Sequence, residues 1–231
     1  MSNTLEEVGL TQAEAEASSA AELVSFALER FSPRVAIASS FGAEDVVLIH
    51  LAAQAGRDFR VFTLDTDFLF RETYELIDDI ERRYKIKVER TRPRLSPEEQ
   101  AASFGEALWS RQPDRCCNIR KVEPLTHKLG ELDAWVTGIR RDQAPTRANA
   151  RKLEWDAKFG LIKFNPLADW KWDDVWDYIR SHDIPYNPLH DQGYPSIGCT
   201  HCTRPVQAGE DPRAGRWSGF AKTECGLHAA K

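Results

Sequence analysis

A chain of 231 residues can bury one sizeable core, which one α/β domain with a short functional tail fills. Hydrophobic residues at 42% and charged residues at 29% exclude a disordered chain or a fibrous repeat. A net charge of -5 and a pI near 5.7 exclude a general attraction to nucleic acid or to an anionic membrane, so any anion site must be local.

The N-terminus lacks the basic start and apolar run of a signal peptide, and no later stretch is long enough to span a membrane. The expectation is a cytoplasmic protein with no membrane and no nucleic-acid partner. Residues 1–19, rich in Ala, Glu and Ser, read as a flexible, loosely helical segment. From Ala21 to Phe31 the apolar side chains Leu23, Phe26, Ala27 and Phe31 share one helical face, and Pro33 stops the helix. Val35 to Ala38 is an apolar run of strand type, followed by a polar loop and a helical pattern through Val46, Val47, Ile49 and Ala53.

The same rhythm recurs. Phe59 to Leu64 reads as strand, Leu69 to Tyr84 as helix and Ile86 to Glu89 as strand. Helical segments follow Ser96 and surround Cys116, then Ala134 to Thr137 and Leu161 to Phe164 read as strands. Strands alternating with long helices predict a doubly wound, mostly parallel α/β sheet. Trp172, Trp176 and Ile179 fall at helical spacing and read as core packing rather than as a platform for bases. From Gly193 to Gly219 the density of Gly, Pro and Arg predicts a loop-rich, mobile segment.

Ligands of such sheets bind beyond the carboxyl ends of the strands, where three polar loops stand. Ser39 to Ala43, with hydroxyls and a following helix N-terminus, suits one phosphate but lacks the Gly-Lys-Ser/Thr ending of a Walker loop. The loop from Asp65 to Asp67 follows the second strand, and the loop from Gly138 to Arg147, which includes Arg140, follows a later one.

Five cysteines in a reducing compartment argue for metal or catalysis rather than a disulfide framework. Cys116 and Cys117 are adjacent, and Cys199 and Cys202 form a Cys-x-x-Cys pair. Two such pairs can complete four-sulfur coordination. Zinc, an iron–sulfur cluster, a redox-active Cys199–Cys202 disulfide and unrelated buried thiols all compete for this pattern, and the vicinal pair tilts it towards iron. Cys225 stands apart in a basic tail with Arg213, Arg216 and Lys222 before it and His228 after it, so a thiolate could be stabilised there.

Ser40-Phe41-Gly42, Leu64-Asp65-Thr66, Cys116-Cys117 with Ile119-Arg120-Lys121, Gly138-Ile139-Arg140-Arg141, Cys199-x-x-Cys202-Thr203-Arg204-Pro205 and Glu224-Cys225-Gly226-Leu227-His228 occur in that order. With them the chain resembles the assimilatory adenylyl-sulfate and phosphoadenylyl-sulfate reductases from about residue 20 onwards. The resemblance implies a fold of the adenine-nucleotide α-hydrolase (PP-loop-like) type. It implies residues 20–202 as the nucleotide- and cluster-binding domain and 203–231 as a mobile tail carrying the catalytic cysteine.

It further implies a [4Fe-4S] cluster on Cys116, Cys117, Cys199 and Cys202, since relatives with all four resemble enzymes using adenylyl sulfate. Cys225 would attack sulfur to give an S-sulfocysteine, with Lys121, Arg213, Arg216 and His228 countering the negative charge. Ser40, Phe41, Gly42, Leu64, Asp65, Gly138, Arg140 and Arg147 would surround the nucleotide. Thioredoxin or glutaredoxin would be the reductant, and a homo-oligomer is compatible with the pattern. The remaining readings are a phosphoadenylyl-sulfate or dual-specificity reductase, an iron–sulfur redox sensor, and an RNA sulfurtransferase. The acidic charge and the missing pyrophosphate loop disfavour the last.

Overall fold

The computed structural model describes residues 8–222 and 224–227. The chain begins with helix α1 (Gln12–Ala17), closed by a reciprocal Thr11–Glu14 capping box. The segment read as flexible therefore differs from expectation over residues 8–19, because Val8 and Ala15 are buried in the main core. Helix α2 (Ala20–Phe31) starts from a second such box, Ser19 with Glu22, and buries Leu23, Val24, Ala27, Leu28 and Phe31.

Strand β1 (Val35–Ala38) leads into α3 (Ala43–Gln54), β2 (Val61–Leu64), α4 (Arg71–Tyr84) and β3 (Val88–Thr91). The third strand lies two residues later than its apolar run suggested. Lys85 ends α4 in the left-handed conformation, and Glu81 reaches forward to accept the Val88 N–H at 2.8 Å, so Ile86 and Lys87 are consumed by the turn. Four short helices follow: α5 (Pro97–Phe104), α6 (Leu108–Arg111), α7 (Pro113–Cys117) and, after a π-helical turn over Asn118–Val122, α8 (Glu123–Leu129).

The chain continues through β4 (Ala134–Val136), β5 (Leu153–Asp156), β6 (Leu161–Phe164) and α9 (Trp172–Ser181). The sheet order is β3-β2-β1-β4-β6-β5. All neighbours are parallel except β5, which pairs antiparallel with β6 from Leu153 opposite Phe164 to Asp156 opposite Leu161. β5 escaped the sequence reading because its charged alternation, Leu-Glu-Trp-Asp, marks a half-buried edge strand rather than an apolar run. One face of the sheet packs against α2, α3, α4 and α9, the other against α8 through Leu125, Leu129, Phe62 and Trp135. The doubly wound α/β architecture is thus present. Among the described residues no helix is long and apolar enough to cross a membrane.

Candidate active site

The strand order reverses direction between β1 and β4, so the loops leaving their carboxyl ends diverge and open a crevice. A cavity of about 340 Å³ fills it. Its floor is Ala38, Phe62, Leu64 and Trp135, and Leu125 and Leu227 close one apolar side. Ser39, Ser40 and Gly42 border it from the first loop, and Thr137, Gly138 and Arg140 from the second.

The first loop is held in an uncommon conformation. Phe41 has φ 60° although it carries a bulky side chain, and that side chain is fully buried in the core beneath the loop. It anchors the loop and does not itself line the cavity. The turn is fixed by Ser39 Oγ, which accepts the Phe41 N–H at 3.1 Å, and by Asp45, whose Oδ2 accepts the Ser40 N–H at 2.6 Å and Oγ–H at 2.9 Å. Burial lifts the Asp45 carboxyl to about 6, against the pull of the Ser40 N–H, with Glu44 adding to the rise. Gly42 opens α3 without a side-chain cap, leaving the helix N-terminus to the loop and cavity. Gly138 is required here. A Cβ at that position would lie 2.4 Å from Asp45 Oδ1 and 2.9 Å from Glu44 Cβ.

The other predicted nucleotide residues divide. Leu64 and Arg147 line the cavity. Asp65 does not: it is buried beside it, accepting from the Tyr74 hydroxyl at 2.7 Å and from Arg92 at 3.0 Å. Its carboxylate is engaged in fixing the second loop, behind the cavity wall. Arg140 borders the cavity but is itself buried, bound to Glu44 at 2.9 Å and Asp142 at 3.2 Å and lying over the Trp172 ring. Trp172, read as pure core, also faces the cavity.

The four paired cysteines come from two segments that meet. α7 carries Cys116 and Cys117, and Cys199 forms a bridge with Leu69 while Thr200 N–H donates to Phe68 O at 2.8 Å. All are free thiols, with Cys116, Cys117 and Cys199 buried and Cys202 half-buried. Burial, then the neighbouring thiols, pushes Cys116 up to about 11 and Cys202 to about 12, which places the four in one electrostatic neighbourhood. Thr66 Oγ1 lies 3.3 Å from Cys199 Sγ, and Gln100 donates to Cys116 Sγ at 3.9 Å. Among the described residues, however, no three His, Cys, Asp or Glu side chains are grouped as a metal ion requires.

Lys121, one helical turn beyond this pair, lines the cavity. Burial works against its charge, but Cys199, Cys225 and Cys117 outweigh burial and hold it protonated above its ordinary range. The tail folds back over the cavity: Thr203 bridges Arg216, Arg204 N–H bonds Gly215 O at 3.0 Å, and Trp217 is buried. Arg213, Arg216 and Cys225 are thereby brought to the cavity wall. Arg216 lies across Gly198, where a Cβ would come within 2.3 Å of its guanidinium, and donates to Ser196 Oγ at 3.1 Å. His228 lies outside the described residues.

Several wall residues escaped the sequence reading, notably Asp45, Gln143, Trp217 and His190. His190 is the most distinctive. Burial lowers its pKa against Glu44 and the Tyr194 backbone, and neither buried ring nitrogen has a well-formed hydrogen bond among the described residues. Nothing in Pro188-Leu189-His190 signalled this, since a single histidine in a short turn carries no spacing pattern.

Three comparisons bear on this geometry. The family model described as the phosphoadenosine phosphosulfate reductase domain matches residues 34–205. The chain is 50% identical over 208 residues to the adenosine 5'-phosphosulfate reductase of Halalkalibacterium halodurans, covering 90% of each. It is 47% identical to adenosine 5'-phosphosulfate reductase 2 of Bacillus subtilis, covering 90% of this chain and 88% of that one. Among solved structures, the phosphoadenylyl-sulfate reductase of Candida auris superposes with a TM-score of 0.77 at 29% identity, covering 88% of this chain and 99% of that one. The FMN adenylyltransferase of Candida glabrata, at a TM-score of 0.60 and 18% identity over 87% of this chain and 68% of that one, shares the fold alone.

Proposed function

The chain belongs to the phosphoadenosine phosphosulfate reductase family, and on that premise we propose that it reduces adenylyl sulfate to sulfite and AMP in sulfate assimilation. The observation that carries this reading is the meeting of Cys225 with Lys121, Arg213 and Arg216 on the wall of a cavity that the loop from Ser39 to Gly42 also borders. The names of the relatives of about half identity favour adenylyl sulfate over its 3'-phosphorylated form.

Adenosine fits the apolar floor made by Phe62, Leu64 and Trp135, with its phosphate at the first loop and the sulfuryl group directed at the tail. The Cys225 thiolate attacks sulfur, the bond from sulfur to the bridging phosphate oxygen breaks, and AMP departs with the electron pair of that bond. The SO₃ group remains on Cys225. A thiol of thioredoxin or glutaredoxin then attacks Cys225 Sγ, sulfite leaves, and the reductant's second thiol resolves the mixed disulfide, so both electrons come from the dithiol. Negative charge accumulates at the sulfate oxygens and at the leaving phosphate, and Lys121, Arg213 and Arg216 face that charge as fixed cations.

The donor chemistry at Cys116, Cys117, Cys199 and Cys202 fits a [4Fe-4S] cluster: four free thiols from two segments share a desolvated neighbourhood and touch Thr66 and Gln100. Bound there, the cluster supplies fixed charge beside Lys121. Free cysteines also suit a reducing cytoplasm.

The test is sulfite release with thioredoxin as reductant. Adenylyl sulfate turns over, phosphoadenylyl sulfate competes poorly, and Cys225→Ser gives no sulfite from either. Equal kcat/KM for both nucleotides would make the enzyme dual-specific, and turnover by Cys225→Ser would refute the mechanism.

A further inference from the structure

Glu224, the neighbour of Cys225, binds two of the cavity arginines, Arg147 and Arg213, which come from different parts of the chain. Arg147 donates to it from Nε at 3.0 Å and from Nη2 at 2.9 Å, a two-pronged contact. Arg213 donates from Nη2 at 3.2 Å, and the Thr146 hydroxyl adds a fourth bond at 3.1 Å. The Glu224 side chain is only 14% exposed, so these are desolvated charge-assisted bonds rather than a solvent-screened pair. Glu224 does not itself line the cavity, whereas Arg147, Arg213 and Cys225 do. The carboxylate therefore anchors two arginines of the cavity wall without lining the cavity itself.

The contact is also continuous with the nucleotide loops. Arg147 donates to Gln143 Oε1 at 2.5 Å, and Gln143 Nε2 donates to Glu44 Oε1 at 2.9 Å and Gly138 O at 3.1 Å. Gln143 Oε1 also accepts the Arg140 N–H at 3.1 Å. A polar chain thus runs from the tail, through the loop after β4, to the first turn of α3 beneath the phosphate loop. Gly226, at φ 83°, turns the backbone immediately after Cys225, and Lys158 bonds its carbonyl, so Cys225 sits between two fixed points.

We propose that Glu224 is a positioning residue that docks the tail on Arg147 and Arg213 and so holds the Cys225 thiol at the cavity before nucleotide arrives. The proposal deepens the reading of Cys225 as nucleophile and rests on it only for its catalytic consequence. Docking couples two events: the arginines that meet the substrate's anion are aligned by the same carboxylate that fixes the attacking thiol. It also sets a sign, because removing the carboxylate's charge takes an opposing anion away from both cations and must not weaken their hold on an anion.

The full-length holoenzyme tests this without substrate, by following iodoacetamide labelling of the Cys225 peptide by mass spectrometry. Glu224→Gln should label roughly tenfold or more faster, the factor that losing such charge-assisted bonds brings, and Glu224→Asp should fall between the two. In turnover, Glu224→Gln should lower kcat by a similar factor while AMP binds as tightly as before or more tightly. Unchanged labelling in Glu224→Gln would overturn the proposal, as would a loss of AMP affinity parallel to the loss of kcat, which marks a general collapse of the pocket. If labelling responds as stated but wild-type enzyme forms no adduct with adenylyl sulfate, the docking stands and the assigned reaction fails.

Discussion

Asp45 fixes the loop from Ser39 to Gly42 from a buried position, and the protein bears the energetic cost of that placement. Its carboxyl is lifted from 3.8 to about 6 because burial disfavours the charge more than the Ser40 and Gly42 N–H groups favour it. A raised folded-state pKa gives stability that is complete below the unfolded value and lost as pH rises through about 6. Asp45→Asn keeps an acceptor for Ser40 and sheds the charge. It should stabilise the fold by roughly 1–3 kcal/mol at about pH 8 and by little at about pH 4, read from urea unfolding at both. A gain that is larger at the acidic end would contradict the assignment of the shift to burial. Lys121 is the second test at this scale. Lys121→Ala should lower kcat by roughly a hundredfold, as expected for a lost cation at developing charge, while leaving the visible spectrum of the cysteine site in place. Unchanged turnover would remove Lys121 from the catalytic group.

At the scale of elements, what could be read in the sequence was what local periodicity records. Apolar runs located β1, β2, β4 and β6, and Pro33 and the Ser96-Pro97 start bounded helices correctly. Edge strand β5 and helix α1 were obscured because each is half-polar and gains its order from partners far along the chain, such as Glu16 bonded to Arg141 and Lys152. The site was legible by residue type more than by direction. Phe41 points into the core and Asp65 towards Arg92 and Tyr74, and no spacing rule says which way a loop side chain turns. The cysteine pairs show the same division: their spacing suggests a shared centre, but what seats the Cys199–Cys202 segment is contacts from far along the chain, the Leu69–Cys199 bridge, the Thr66–Cys199 bond and the stacking of Trp109 on His201. Anaerobically purified protein should carry about four iron and four sulfide per chain, and Cys199→Ser should lose both. Stoichiometric zinc with no sulfide would contradict the cluster.

For the molecule as a whole, the acidic surface and the cationic cavity are complementary facts. A net charge of -5 prevents indiscriminate anion binding, while Lys121, Arg147, Arg213 and Arg216 gather at one crevice where the strand order reverses. Two of the four, Arg213 and Arg216, arrive with the tail, which also brings Cys225 to the cavity wall. The central claim is that Cys225 is the delivered nucleophile, and the most direct measurement is the intact mass of reduced protein mixed with adenylyl sulfate in the absence of thioredoxin. The account predicts a chain heavier by one SO₃ group, mapped to the Cys225 peptide and lost when thioredoxin is added. No mass increase, or an adduct on Cys199 or Cys202, would contradict it.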